Sequence, residues 1–377
     1  MQRLPNPGRP GSSRRSFLKK GAAAGVASVG AGLLSRRTSA FVEDEKSGRL
    51  TPGDAALLRF AAAAEIIETD FWVQYNELGG VPNTNEVPGG SGNPAYTNAI
   101  SQLDTDMAQY IHDNTDDEFT HQNFLNAYLE SKGASTVSLE PFRTLQGSQA
   151  TGSSSKLRIT NLMQLTVDTS WWTRYRNGDH NPDLEANFAF PQAIPTLATG
   201  KHTAIPRTDA DTSDPNILQA IANTAGFHFA TIEQGGTTLY PAMAQRATHH
   251  EVLRILLSIG PTETMHFQTW QDKAGNAPDA SFFDPINKSD VVFDVQSAAR
   301  FKTEDFQPNL IMPEPCPFIS PNLPRCSVIR PTETKDIAKG VVKFLTGMGL
   351  FIGQSPAFFA LLNDLAEDAD AARRGQG

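Results

Sequence analysis

The chain has 377 residues, 39% of them apolar and 19% charged, which is enough for one large domain or two ordinary ones with a real core. Two cysteines exclude a disulfide-knotted miniprotein, 22 Phe exclude a wholly disordered chain, and a mean hydropathy of −0.34 argues against a polytopic membrane protein. The formal charge is −9, and residues 1–40 carry eight Lys/Arg and no acid, so the remainder stands at 24 basic against 41 acidic residues, a poor partner for nucleic acid.

In chain order, the first feature is Ser12-Ser13-Arg14-Arg15-Ser16-Phe17-Leu18-Lys19. A mild Gly/Ala/Val run over 21–34, a second basic pair at Arg36-Arg37 and the small residues Thr38-Ser39-Ala40 follow it. Residues 1–40 resemble a twin-arginine signal peptide read through Arg14 and Arg15. That resemblance implies transient contact with the twin-arginine translocase, a folded passenger, and a periplasmic or extracellular location after cleavage. The apolar run is too short and glycine-rich for a stable membrane span.

Thr51-Pro52-Gly53-Asp54 reads as a helix start, and the helix extends to about Glu77 before Gly79-Gly80. A second helix is expected over about Thr97–Lys132, with Gly133 placed as its C-terminal glycine. Residues 134–213 form a long mixed connection that contains Trp171, Trp172, Arg174, Tyr175 and Arg176, read as packing against the helices rather than as a binding platform. A third helix starts at Asp214-Pro215 and runs to about Tyr240-Pro241. Thr248-His249-His250-Glu251 is a capping-box pattern that opens a fourth helix to about Asp272, with Pro261 expected to kink it. Residues 273–335 read as proline-rich and irregular, and 335–374 as one or two closing helices. Cys316 and Cys326 enclose nine residues, and an exported chain makes a local disulfide between them plausible.

Four acidic positions repeat along these helices. The first carries Glu65, the second Glu118-x-x-His121, the third Glu233 and the fourth Glu263-x-x-His266. A spacing of i, i+3 sets a carboxylate and an imidazole on one helix face, where both reach one metal centre. Trp72 lies seven residues after Glu65, and Tyr240 seven after Glu233, so each aromatic shares its glutamate's face. Mixed carboxylate and imidazole donors suit iron or manganese. Glu68, one turn beyond Glu65, competes for the same role, and Glu65 is preferred because of its aromatic partner. His228, His112, His249 and His250 fall off the shared faces and are read as packed or solvated.

One Glu from each of two helices and Glu-x-x-His from each of the other two is the pattern of di-iron and di-manganese helical bundles. Together with EIIETDFW, TIEQGGTTLY and IGPTETMHF, it resembles the ferritin-like proteins, and within them an exported group that includes desiccation-related proteins. The resemblance implies an all-α fold: an antiparallel four-helix bundle over 51–275, with 134–213 as its crossover and 276–377 as an extension packed on it. It also implies two metal ions, Fe or Mn. Glu65 and Glu233 would be terminal ligands, Glu118 and Glu263 bridging ligands, His121 and His266 one ligand each, and Trp72 and Tyr240 supporting groups. Trp72 replaces a common tyrosine, so a hydrogen-bonding hydroxyl is expected to be lost there. Redox chemistry with oxygen or peroxide follows from such a site. The alternative is a non-enzymatic exported stress or desiccation-type protein, or an envelope-binding one, that uses the helices as a scaffold. Oligomeric state is not specified.

Overall fold

Thr51 starts α1 (Pro52–Gly79): its hydroxyl accepts from the Asp54 amide at 3.0 Å, and Pro52 occupies the first turn, where no N–H is missed. Nearly every residue of α1 is buried, the carboxylates Asp54, Glu65, Asp70 and Glu77 included, so the helix runs through the interior. The computed structural model describes residues 48–81, 86–88, 92–176, 188–296, 312–314, 322–324, 326–328 and 335–375. The paired arginines Arg14 and Arg15 lie outside them, as do Cys316 and the side chain of Cys326.

The second expected helix is two. α2 (Pro94–Ile100) is capped by Asn93, and α3 (Met107–Ser131) begins after a turn in which the Asp106 amide donates to the Asp104 side chain at 2.8 Å. Such an aspartate turn offers the backbone an alternative to continued helix, and that is what breaks the run. α3 ends at Gly133, whose φ of +69° is the left-handed conformation that glycine adopts freely.

α5 (Pro215–Ala244) follows the connection, which holds β1 (Leu145–Gln146), β2 (Leu157–Arg158) and α4 (Ser170–Arg176). α5 continues past Pro241 and is, like α1, buried almost all round. α6 (His250–Ala274) runs through Pro261 and buries one stripe: Val252, Ile255, Leu256, Ile259, Glu263, Phe267, Trp270 and Ala274. Its capping box does not form. The buried Asp54 of α1 accepts from the amides of Thr248 (2.9 Å) and His249 (3.0 Å), and so takes over the helix start.

The four long helices form two antiparallel pairs. In the first, Thr69 of α1 reaches the Glu118 carbonyl of α3 (3.1 Å) and Thr115 reaches that of Trp72 (3.3 Å). In the second, Gly236 of α5 faces Glu263 of α6, and Gly260 faces Tyr240. The connection is tied down over both pairs. Asp70 of α1 accepts from the amides of Ile159 and Thr160 and from Arg143, and Glu77 pairs with the buried Arg158. Trp171 donates to Thr231 of α5 at 2.9 Å, and Trp172 packs on Phe227.

Beyond α6 the chain is not wholly irregular. β3 (Ala280–Asp284) pairs with β4 (Ser289–Phe293), and β5 (Met312–Glu314) with β6 (Cys326–Val328), each antiparallel. α7 (Ile337–Gly347) and α8 (Pro356–Ala371) close the chain, with Leu350, Phe351, Phe358 and Leu362 buried. Asp370 of α8 accepts from two α7 amides and from Arg246, which fixes this end against the loop after α5. The described chain is thus mostly helical, with three two-stranded sheets. Among the described residues no helix is long and apolar enough to cross a membrane.

Candidate metal centre

Six donors converge midway along the two helical pairs. Ligand atoms of Glu65, Glu118, His121 and Glu263 lie within 4.8 Å of one another, and so do those of Glu118, Glu233, Glu263 and His266. Glu118 and Glu263 belong to both groups, so the geometry gives two adjacent positions with two shared carboxylates. All four glutamates are 0% exposed. His121 Nδ1 stands 3.1 Å from Glu118 and 3.3 Å from Glu65, and His266 Nδ1 stands 3.2 Å from both Glu118 and Glu233.

The aromatic residues reach across rather than along. Trp72, on the helix of Glu65, donates from Nε1 to Glu233 at 3.1 Å. Tyr240, on the helix of Glu233, donates its hydroxyl to Glu65. The expected loss of a hydrogen bond at Trp72 does not occur, because the indole N–H supplies it. Pro261 does not displace Glu263, which takes part in both groups.

Three further residues complete the arrangement. Asn114, one turn before Glu118, donates to Glu118 (2.8 Å) and Glu233 (3.2 Å), and it accepts from Trp270 Nε1 at 2.7 Å. Trp270 lies seven residues after Glu263, the same spacing that marked Trp72 and Tyr240. Asp117 meets the outer nitrogen of His266 at 3.0 Å and so orients that ring with Nδ1 inward. Among the described hydrogen bonds and ion pairs, His121 has no such carboxylate on its outer nitrogen, which makes the two positions inequivalent. Glu68 is half-buried at the edge of the cluster and belongs to neither donor group.

Electrostatics follow from crowding carboxylates in a dry interior. Burial pushes Glu65 up to about 7, against the pull of His121. Burial also raises Glu263 well above the usual carboxylate range, and Glu118, Glu68, Glu65 and Glu233 add to it. Glu68 is raised by burial and by its acidic neighbours, Glu65 foremost. For Glu118, burial is outweighed by the two histidines that bond to it, so its carboxyl falls below the usual range. The histidines shift the other way: despite burial, Glu65 and Glu118 hold His121 up to about 10, and Glu233, Asp117 and Glu118 hold His266 well above its usual value.

Two observations test whether these residues fit a cation. Both oxygens of Glu263 and one of Glu65 are buried without a hydrogen-bond partner, a costly arrangement for carboxylates unless a cation meets them. Opposite Glu263 stands Gly236, where an added Cβ would lie 2.5 Å from Oε2, so the absence of a side chain makes room for the carboxylate. The donor set, four carboxylates and two imidazoles, fits hard or borderline divalent ions.

Three other described histidines lie outside both donor groups. His228 is buried and bonded to Tyr75, His112 meets Glu86 at 3.1 Å, and His250 is exposed. Trp171 and Trp172 are buried at 2% and 0%, packed from the connection onto α5. Compared with protein-family models, with curated proteins and with solved structures, the chain matches none.

Proposed function

We propose that the chain is an exported protein with a ferritin-like helical bundle that holds two iron or manganese ions and carries out redox chemistry with oxygen or peroxide. The observation that carries this reading is the pair of donor groups sharing Glu118 and Glu263, with both Glu263 oxygens buried without a hydrogen-bond partner. Glu65 and His121 would serve one ion, Glu233 and His266 the other, and Glu118 and Glu263 both. Two adjacent ions, when bound, would supply the electrons for reduction of the oxidant.

The protein's own part is to hold the donors and manage protons. Tyr240 and Trp72 orient the two terminal carboxylates, and Asp117 fixes the His266 ring. The aromatic wall of Trp72, Phe229 and Trp270 keeps water from one side of the cluster. Export through the twin-arginine route, which passes folded chains, is compatible with loading before translocation.

The test is metal content by plasma mass spectrometry on residues 41–377, purified without chelator or loaded anaerobically with Fe(II) or Mn(II) and desalted. About two ions per chain, with occupancy lost in Glu118→Gln and Glu263→Gln variants of unchanged helicity, are expected. A wild-type chain that retains no ion after loading would remove this reading and leave the helices as a scaffold.

A further inference from the structure

Tyr75 and His228 form a buried pair that neither donor group uses. Tyr75 lies on α1, ten residues after Glu65, and His228 on α5, five before Glu233. Both are 0% exposed, and the phenol oxygen stands 2.9 Å from His228 Nδ1, its sole hydrogen-bond partner among the described residues. The other ring nitrogen, Nε2, is buried with no hydrogen-bond partner among the described residues. Phe71 meets the His228 ring at 5.6 Å and Phe229 meets the Tyr75 ring at 4.6 Å, both edge-on. Two apolar side chains would fill this space without stranding a ring nitrogen, so packing alone does not account for a tyrosine and a histidine here.

Trp72 links the pair to the cluster. Its N–H is on Glu233, and its ring centroid is 5.8 Å from that of Tyr75. Aromatic rings this close exchange an electron far faster than enzymes turn over.

We infer that Trp72, Tyr75 and His228 form a one-electron relay in which Tyr75 is the donor and His228 Nδ1 receives its proton. The inference rests on the redox reading above. Trp72 would give one electron toward an oxidised ion held by the two donor groups, with peroxide as the oxidant, and Tyr75 restores it with one of its own. The Tyr75 O–H bond breaks, the proton crosses the existing hydrogen bond, and an N–H bond forms at Nδ1. The products are a neutral tyrosyl radical and an imidazolium. A small one-electron reductant from solvent, such as ascorbate, returns the electron, and the proton moves back. Burial holds His228 down to about 3, so the ring is neutral and open to a proton before the event. Burial also raises Tyr75, which keeps its proton until it is oxidised. The oxidised phenol is a far stronger acid than imidazolium, so the shift proceeds in the dry interior.

The relay ends inside the protein. A competing route runs from Trp72 to the stacked Trp270 (5.3 Å) and on to the part-exposed Tyr110 (6.2 Å). The Tyr75 route is favoured because its proton acceptor is already in place.

The experiment loads residues 41–377 with Fe(II), measures bound iron, adds hydrogen peroxide, freezes the sample and records the electron paramagnetic resonance spectrum. A tyrosyl signal is expected in the wild type, absent in Tyr75→Phe and at least tenfold weaker in His228→Leu, with iron content unchanged in both. A signal that persists in Tyr75→Phe, whether it then vanishes in Tyr240→Phe or in Tyr110→Phe, would overturn the relay, as would iron-loaded wild type with no radical. A second arm needs no ion: an ultraviolet pulse ionises tryptophan in the metal-free chain. Conversion of the tryptophan radical to a tyrosyl radical in the wild type but not in Tyr75→Phe supports the relay even if iron is not retained, in which case the metal reading alone falls. Equal decay in both chains sinks the relay whatever the iron content.

Discussion

Trp72 donates to Glu233 across 161 residues of sequence, while the tyrosine in the matching place, Tyr240, donates back to Glu65. Glu65 and Glu233 are therefore each oriented by an aromatic residue of the opposite helical pair. Trp72→Phe keeps the ring and removes the N–H that holds Glu233. It is expected to weaken binding of one ion about 10- to 100-fold, the usual cost of losing a group that orients a ligand. Calorimetric titration with Mn(II) measures it, and unchanged affinity would show that Trp72 only packs.

Asp117 gives the positions a second difference. Asp117→Asn removes the charge behind His266 and nothing behind His121. One of two binding steps is expected to weaken about 10-fold or more, with the other retained. Equal loss at both steps would refute the inequivalence.

Gly235 and Gly236 are neighbours with opposite surroundings. An added Cβ at Gly235 meets nothing within 4 Å, whereas at Gly236 it meets the Glu263 carboxylate at 2.5 Å. Gly235→Ala should raise stability by up to about 1 kcal/mol, the helix propensity gain. Gly236→Ala should instead push Glu263 aside and lower metal occupancy. Denaturant unfolding and metal content, measured on both variants, separate the two effects.

Ion binding should strengthen with pH. His121, held up to about 10, and Glu65, held up to about 7, must lose their protons before they can act as ligands. Each displaced proton contributes on the order of tenfold in apparent affinity per pH unit below the pKa of its group. The rise should therefore be steepest below about 7, where both groups release protons, and shallower from there to about 10, where His121 still does. For stability of the metal-free chain the signs differ. His121 contributes stability in full below its unfolded pKa, and this is lost as pH climbs through 10. Glu65 favours folding at low pH and costs stability as pH rises from its ordinary value of 4.5 to about 7. Metal titrations at pH 6, 7 and 8 check the first sign, and a flat profile would show that the donors are already deprotonated.

The start of α6 shows where local reading stops. Thr248 and Glu251 carry the letters of a capping box, but Asp54, 194 residues earlier, accepts from the Thr248 amide. Thr248→Ala should thus cost under about 0.5 kcal/mol, whereas Asp54→Ala, which strands two amides, should cost about 2 kcal/mol or more in denaturant unfolding. The donors that converge were readable because i, i+3 and i+7 spacings are local to a helix. Asn114 and Asp117 were not, since their roles depend on which residues the other helices bring alongside. Trp270 repeats the spacing of Trp72 and Tyr240, seven residues after Glu263, and is legible in the same way. The break at 101–106 and the β3–β4 hairpin were hidden for another reason: short aspartate turns and five-residue strands leave little periodicity.

Each donor group draws three residues from one helical pair and one from the other: Glu65, Glu118 and His121 with Glu263, and Glu233, Glu263 and His266 with Glu118. A cation held by either group is therefore a cross-link. It closes a loop that spans the whole connection between the pairs, as a disulfide would, and denies the unfolded chain the freedom to separate its halves. The pairs can then no longer part without releasing their ions, and the loss of metal and the opening of the molecule become a single event.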